Sequence, residues 1–268
     1  MNRYEEAFKM AKARRESALI PFAVAGDPGP DAFLDVIKAY VDGGADVLEI
    51  GYPFSDPVAD GPVNQRASQR AIKAGLNHSL FFSLVKEIRS FTDIPIGLLT
   101  YANTINHLGA EAFCKKAERA GIDSILTADM PPEESIDLDT QMRKHGIGRV
   151  YIVSELTPDD RMRYIGNRVD SFVYVVSRPG VTGADAALSS SVKTTLTRLK
   201  RVTDKPAAVG FGIATPKHVR EVTGAGAQGV IVGSALVNMI EDAVNKGKSP
   251  ARALKKRVSE LKAATRHA

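Results

Sequence analysis

Glu49 is the first residue that asks for a chemical explanation, because it interrupts an apolar run, Val47–Ile50 (VLEI), that otherwise reads as a strand. Side chains alternate along a strand, so Val47 and Glu49 share one face and Leu48 and Ile50 the other. A carboxyl among apolar neighbours is costly to ionise. Its raised pKa suits it to give a proton and take one back. A strand-end glutamate can equally be half of an ion pair with a lysine or arginine. In the loop that follows, Asp56 precedes Pro57 and Asp60 precedes Gly61 and Pro62, so both also suit turns. A second carboxylate beside Glu49 would let one group move a proton while the other answers the charge that develops. Two glycine-bearing turns, GFGIATP and VGSAL, lead from apolar runs into helical patterns. Such turns leave backbone N–H groups and a positive dipole end free, which is the chemistry of a phosphate site. Gly212, Gly233 and Ser234 are the contributors there, and Gly183 in GVTGAD is a third glycine of the same kind.

The remaining reactive residues form no pattern. His78, His107, His145, His218 and His267 lack metal-ligand spacing, and neither HExxH nor CxxC occurs. Cys114 lies in the helical segment FCKKAERAG and reads as a buried small hydrophobe. No GxGxxG with a following acidic residue is present, and no inward lysine suggests a Schiff base. The expectation is therefore no cofactor and no metal.

Positioning Glu49, Asp60 and two glycine turns around one point requires an architecture that gathers strand ends. Short β-branched runs recur at Leu19–Ala25, Val47–Ile50, Ile94–Leu99, Ser124–Thr127, Val150–Val153, Phe172–Val176, Ala207–Phe211 and Gly229–Val232. Helical patterns lie between them, several ending in glycine. Strand–helix alternation repeated in this way predicts a (β/α)8 TIM barrel of buried parallel strands, one domain over residues 1–268. In a barrel the outward face of each strand is covered by apolar helices. Leu48 and Ile50 should point there and Glu49 inward. The longest intervals, after the second and sixth strands, predict long loops at the catalytic face, both mobile until substrate binds. Two helices fall outside the repeat. Asn2–Ala13 carries Tyr4, Phe8 and Ala11 on one face, as a cover for one barrel end. Ser249–Pro250 reads as an N-cap and first-turn proline before a stripe of Ala251, Leu254, Val258 and Leu261.

Composition narrows the function classes. The chain has 268 residues, 44% apolar and 25% charged, as in an ordinary globular protein rather than a disordered or fibrous one. A net charge of +5 spread along the chain does not argue for nucleic acid, and Lys255–Lys256–Arg257 reads as a solvated face. No apolar stretch approaches the roughly 20 residues of a membrane span. A charged N-terminus and a single cysteine predict a cytoplasmic protein without a signal peptide.

The run EIGYPFSDPVADGP at Glu49–Pro62 closely resembles the signature of the tryptophan synthase α subunit family. The resemblance extends over essentially the whole chain: PFAVAGDPG at Pro21–Gly29, GLLTYAN at Gly97–Asn103, ADMPPEES at Ala128–Ser135, YVVSRPGVTGAD at Tyr174–Asp185, GFGIATP at Gly210–Pro216 and VGSALV at Val232–Val237. It implies a cofactor-independent lyase of tryptophan biosynthesis that cleaves indole-3-glycerol phosphate to indole and glyceraldehyde 3-phosphate. It also implies an α2β2 assembly in which a β subunit makes tryptophan from the indole and serine. By resemblance, Glu49 protonates indole C3 and takes the glycerol hydroxyl proton, and Asp60 holds the indole N–H. Phe22, Leu99, Tyr101, Ala128, Ile152, Tyr174 and Phe211 match the indole and glycerol pocket, and Thr182 the residue that closes over Asp60. Gly183, Gly212, Gly233 and Ser234 match the phosphate contacts, and Asp56, Pro57, Asn103 and Pro131 the partner face. The chain departs from the usual pattern at Val24, at Val63–Asn64 and in the polar segment Thr104–His107.

Three other functions fit part of the pattern. A free-standing indole-3-glycerol phosphate lyase would use the same carboxylates. A non-catalytic subunit that activates a β partner would need neither of them. A sugar-phosphate isomerase or epimerase barrel would explain the glycine turns but not the loop after Glu49.

Overall fold

Every apolar run of the sequence becomes a stave of one parallel sheet. The structure, a computed structural model, describes residues 2–176, 184–210 and 212–267, and of 184–190 the backbone alone. The strand segments are β1 (Ala18–Val24), β2 (Leu48–Gly51), β3 (Ile96–Thr100), β4 (Ser124–Thr127), β5 (Gly148–Arg149), β6 (Tyr151–Ser154), β7 (Val173–Val176), β8 (Ala207–Gly210) and β9 (Gly229–Val232). The helices are α1 (Arg3–Ala13), α2 (Pro30–Asp42), α3 (Pro62–Lys73), α4 (His78–Arg89), α5 (Ala102–Leu108), α6 (Ala110–Ala120), α7 (Ile136–Lys144), α8 (Asp159–Gly166), α9 (Ala184–Leu199), α10 (Pro216–Gly224), α11 (Ser234–Asn245) and α12 (Ala251–Ala263).

The hydrogen-bonded order is β5-β4-β3-β2-β1-β9-β8-β7-β6. β5 and β6 are successive pieces of one stave on either side of Val150. β5 pairs with β4 and β6 with β7, so this stave brings the two edges of the sheet together into a barrel. The run read as one strand at Val150–Val153 is thus two segments beginning at Gly148. Other boundaries move by one or two residues for local reasons. β3 starts at Ile96 rather than Ile94: Pro95 has no N–H to give, its carbonyl accepts from Leu48, and the Ile96 N–H goes to the Asp123 carboxylate at 2.8 Å.

Two apolar layers result. Outside the strands, Leu48 and Ile50 pack with helix residues such as Phe33, Ile37, Phe81 and Phe113. Inside, Ile20, Val47, Leu126, Val150, Phe172, Ala208 and Ile231 form a second cluster, joined by Tyr4, Phe8 and Ala11 of α1. The N-terminal helix therefore plugs the barrel floor, as its apolar face predicts. The Tyr4 hydroxyl shares a hydrogen bond with Ser124 Oγ at 2.8 Å, and it fits because a Cβ on Gly97 would lie 2.6 Å from it. Burying each of these rings is worth about 1.5–3 kcal/mol.

The long interval after β2 is mostly helix, not loop. Pro62 opens α3 at its first turn, and Ala67, Ser68 and Ala71 bury the face that packs on β1 and α11. The loop proper is only Tyr52–Gly61. After the sixth predicted strand, the interval carries the 16-residue α9, while 177–183 lie outside the described residues. At α12, Pro250 occupies the cap position itself and Ser249 Oγ accepts from the Ala251 N–H at 3.4 Å, one residue later than the sequence suggests. The rest of the stripe behaves as expected, with Leu254, Val258 and Leu261 buried.

Candidate active site

A cavity of about 450 Å³ opens at the C-terminal ends of the strands, above the plugged floor. Its wall brings Glu49, Asp60, Gly212, Gly233 and Ser234 together. Inward parity explains Glu49: its strand neighbours Leu48 and Ile50 belong to the outer layer, and the carboxyl enters the cavity with only 6% of its surface exposed. Among the described residues no lysine or arginine pairs with it. Burial without a compensating charge pushes its pKa up to about 8.

Asp60 enters from the β2–α3 loop. Its N–H closes a turn on the Pro57 carbonyl at 2.9 Å, as the turn reading expects, and its side chain faces the cavity. Burial raises its pKa, and hydrogen bonds from Tyr101 and Asn64 oppose that rise. The Tyr101 hydroxyl donates to Oδ2 at 3.0 Å and also accepts from the Ala59 N–H at 3.2 Å, so it fixes both ends of the loop tip. Tyr101 itself is not on the cavity wall. It stands behind Asp60, stacked on Phe54 with ring centroids 5.1 Å apart. Asp56 is exposed and receives the Ser55 hydroxyl, away from the cavity.

Phe22, Leu99, Ala128, Ile152 and Tyr174 line the cavity. Tyr174 lies flat across β8 because Gly210 has no side chain; a Cβ there would collide with the phenol ring. Leu126, Val176, Ile213 and Ile231, which carry no motif, complete an apolar slot. Strand parity carries the signal for two of them, since Leu126 alternates with Ile125 and Ile231 with Val230. Thr182, Gly183 and Phe211 lie outside the described residues. At the far end of the slot Gly212 has φ +76°, a backbone that favours glycine, and Gly233 caps the N-terminus of α11, where Ser234 begins the helix. Backbone N–H groups at a helix N-terminus of this kind suit an anion.

An ion cluster behind the wall, anchored on the buried Asp27, carries no signal in the sequence. Arg70 of α3 donates to both Asp27 oxygens, at 2.7 and 2.9 Å, and to Glu241 of α11 at 2.8 Å. It ties the helix that follows Asp60 to the helix that begins at Ser234, so both ends of the slot keep their spacing. These three residues are far apart in the chain and carry no motif.

The partner-face residues are scattered around the rim. Asp56 and Asn103 are exposed, and Pro57 and Pro131 half-buried. His78 and His107 stack on the same rim with centroids 5.3 Å apart, yet no group of three or more potential metal ligands converges among the described residues. Cys114 is fully buried in the outer layer. Lys255 pairs with Asp42 at 3.0 Å on a solvated face. No helix among the described residues is long and apolar enough to cross a membrane.

Comparison with known proteins agrees with the geometry. The family model described as tryptophan synthase alpha chain matches residues 8–266. The tryptophan synthase alpha chain of Methanoregula boonei is 43% identical over 264 residues, 98% of each chain. The crystal structure of tryptophan synthase subunit alpha from Legionella pneumophila superimposes with a TM-score of 0.91 at 34% identity, covering 99% of this chain and 98% of that one. A chain of the tryptophan synthase a2b2 complex of the hyperthermophile Pyrococcus furiosus, studied for its mutual activation, matches with a TM-score of 0.85 at 38% identity, covering 92% and 98%. A match that runs from the floor helix through the carboxylate strand to the last helix leaves one assignment: the chain belongs to the tryptophan synthase alpha chain family.

Proposed function

We propose that Glu49 is the acid–base and Asp60 the charge-balancing carboxylate of a retro-aldol cleavage in this cavity. The chain is a carbon–carbon lyase of tryptophan biosynthesis that splits indole-3-glycerol phosphate into indole and glyceraldehyde 3-phosphate. One observation carries the assignment of roles: a buried Glu49 with no cation beside it among the described residues and a pKa of about 8, facing the same slot as a partly solvated Asp60. Near neutral pH most of Glu49 is protonated, so it begins as the acid and delivers its proton to indole C3. The ring becomes a cationic indolenine, and Asp60, facing the ring N–H, supplies the opposing charge. Ionised Glu49 then takes the proton of the carbinol hydroxyl. As the carbonyl forms, the C–C bond electrons return to the ring and indole leaves. Glu49 ends as it started, and both proton transfers are served without a cofactor.

The apolar wall from Phe22 to Ile231 suits the indole. The phosphate sits at Gly212, Gly233 and Ser234, where the α11 N-terminus offers N–H groups. Tyr101 acts through Asp60. We take the whole chain, 1–268, to work as one barrel domain in the cytoplasm. A β subunit docks on the rim at Asp56, Pro57, Asn103 and Pro131, in an α2β2 assembly of the kind seen in Pyrococcus furiosus. Apolar side chains left open on this rim, Val58 at 83% and Leu156 at 65% exposure, fit a covered face. The test is indole release by the purified chain, alone and with a β subunit. Slow release that the β subunit accelerates supports the assembly, full activity alone favours a free-standing lyase, and no release with or without the partner leaves only an activating subunit.

A further inference from the structure

Asn64 is the polar cavity residue that this mechanism leaves without a role. It is the third residue of α3, four positions after Asp60 in the chain. Both line the cavity. Asn64 Oδ1 is shielded from solvent and has no hydrogen-bond partner among the described residues. A buried amide oxygen left without a donor is costly, and such a group persists where a ligand or an ordered water supplies the missing partner. The Asn64 side chain is also among the groups that favour the charged form of Asp60. Much of the surrounding wall is apolar, at Phe22, Leu99, Leu126 and Ala128, and no donor among the described residues reaches this oxygen. A planar apolar ligand with a single N–H, held beside Asp60, would bring the one donor this corner lacks.

We propose that Asn64 is a positioning residue for the indole ring, its Oδ1 sharing the indole N–H with Asp60 while its own N–H holds the Asp60 carboxylate in place. This rests on Asp60 being the carboxylate that faces the ring nitrogen. It makes Asn64 a specificity determinant, since a site built to accept an N–H rejects an isostere that lacks one. The titratable groups on this cavity are Glu49 and Asp60, with the Tyr101 and Tyr174 hydroxyls beside them.

The probe is a pair of ligands, 3-(indol-3-yl)propyl phosphate and its benzothiophene counterpart, in which sulfur replaces the N–H. Calorimetry with the full chain should show a preference for the indole ligand. In Asn64→Leu that preference should shrink roughly 3- to 10-fold, the worth of one hydrogen bond, with affinity for the benzothiophene ligand retained. Asn64→Gln, which keeps the amide, should recover part of it. The acid limb of the kcat profile should also move to higher pH in Asn64→Leu, because Asp60 loses a donor that favours its charged form. An equal loss for both ligands means that Asn64 only packs, and an unchanged preference means that its oxygen does not meet the N–H; either result overturns the proposal. Asp60→Asn in the same assay separates the two assignments. If it keeps both turnover and the indole preference, the placement of the ring nitrogen at Asp60 is wrong, whatever Asn64 does.

Discussion

The two ends of this barrel treat the same side chain in opposite ways. At the floor Glu16 is held by Arg14 at 3.0 Å, Lys262 at 2.9 Å and Arg266 at 3.3 Å. Burial alone would raise its pKa, but these hydrogen bonds and charges outweigh burial and pull it down to about 2. Other carboxylates at this end are ion-paired too: Asp46 with Arg14 and Lys262, and Asp123 with Arg3 and Arg89. At the mouth Glu49 exposes as little surface but lies deeper in the protein, meets no cation among the described residues, and rises to about 8. Partners and depth together decide whether the site stabilises the fold or stores a proton. The consequences for pH run in opposite directions. Glu16 binds protons less tightly folded than unfolded, so its contribution is present above about pH 4.5 and is lost as pH falls towards 2. Glu49 binds its proton more tightly folded, so its effect is most favourable below about pH 4.5 and stability declines as pH rises towards 8.

The sharpest test of this contrast is Glu49→Gln. Indole release should fall by about 10²–10⁴-fold, while thermal melts above pH 8 should show a protein more stable than the wild type, because the buried charge is gone. Near-normal turnover would end the acid–base assignment. A melt no higher than wild type at pH 9 would show that the mouth does not strain its carboxylate. Asp60→Asn should lower turnover by about 10²-fold, since an amide cannot oppose a cationic ring. Asp56→Asn on the outer loop should not, and the reverse pattern would exchange the two aspartates. At the floor, Glu16→Gln should cost on the order of 2 kcal/mol near neutral pH and flatten the acid side of the stability curve, with kcat/KM unchanged. A change in kcat/KM there would mean that the ends are coupled. Gly233→Val should weaken glycerol phosphate binding about tenfold by crowding the α11 N-terminus. The chain itself tolerates a Cβ at this point, the nearest atom being Phe22 Cδ1 at 3.7 Å, so calorimetry reads the site and not a collapsed wall. The smallest effect is expected from Tyr4→Phe, about 1 kcal/mol in a denaturant titration for the hydrogen bond to Ser124, with catalysis untouched.

Much of this was legible in the chain before any coordinates. The alternation in Val47–Ile50 places Glu49 inside, and the apolar face of Tyr4, Phe8 and Ala11 identifies the floor plug, because each depends on a local period of two or 3.6 residues. The excess length after β2 was read as loop, since the polar stretch PVNQRASQRAIK hides its small buried face of Ala67, Ser68 and Ala71. Tyr101 was placed in the pocket on resemblance, yet its hydroxyl acts on Asp60 from behind.

The amino-acid sequence by itself determined the barrel, the inward carboxylate and the glycine turns, all of which follow from short-range alternation and backbone freedom. Tertiary structure alone decided that Glu49 would find no cation among the described residues while Glu16 would find three, that Arg70 would join Asp27 to Glu241, and that the Asn64 oxygen would be shut away beside Asp60. The reason is physical. A pKa, an ion triad and an orphaned acceptor depend on which distant groups arrive within a few ångströms, and no period along the chain encodes that meeting.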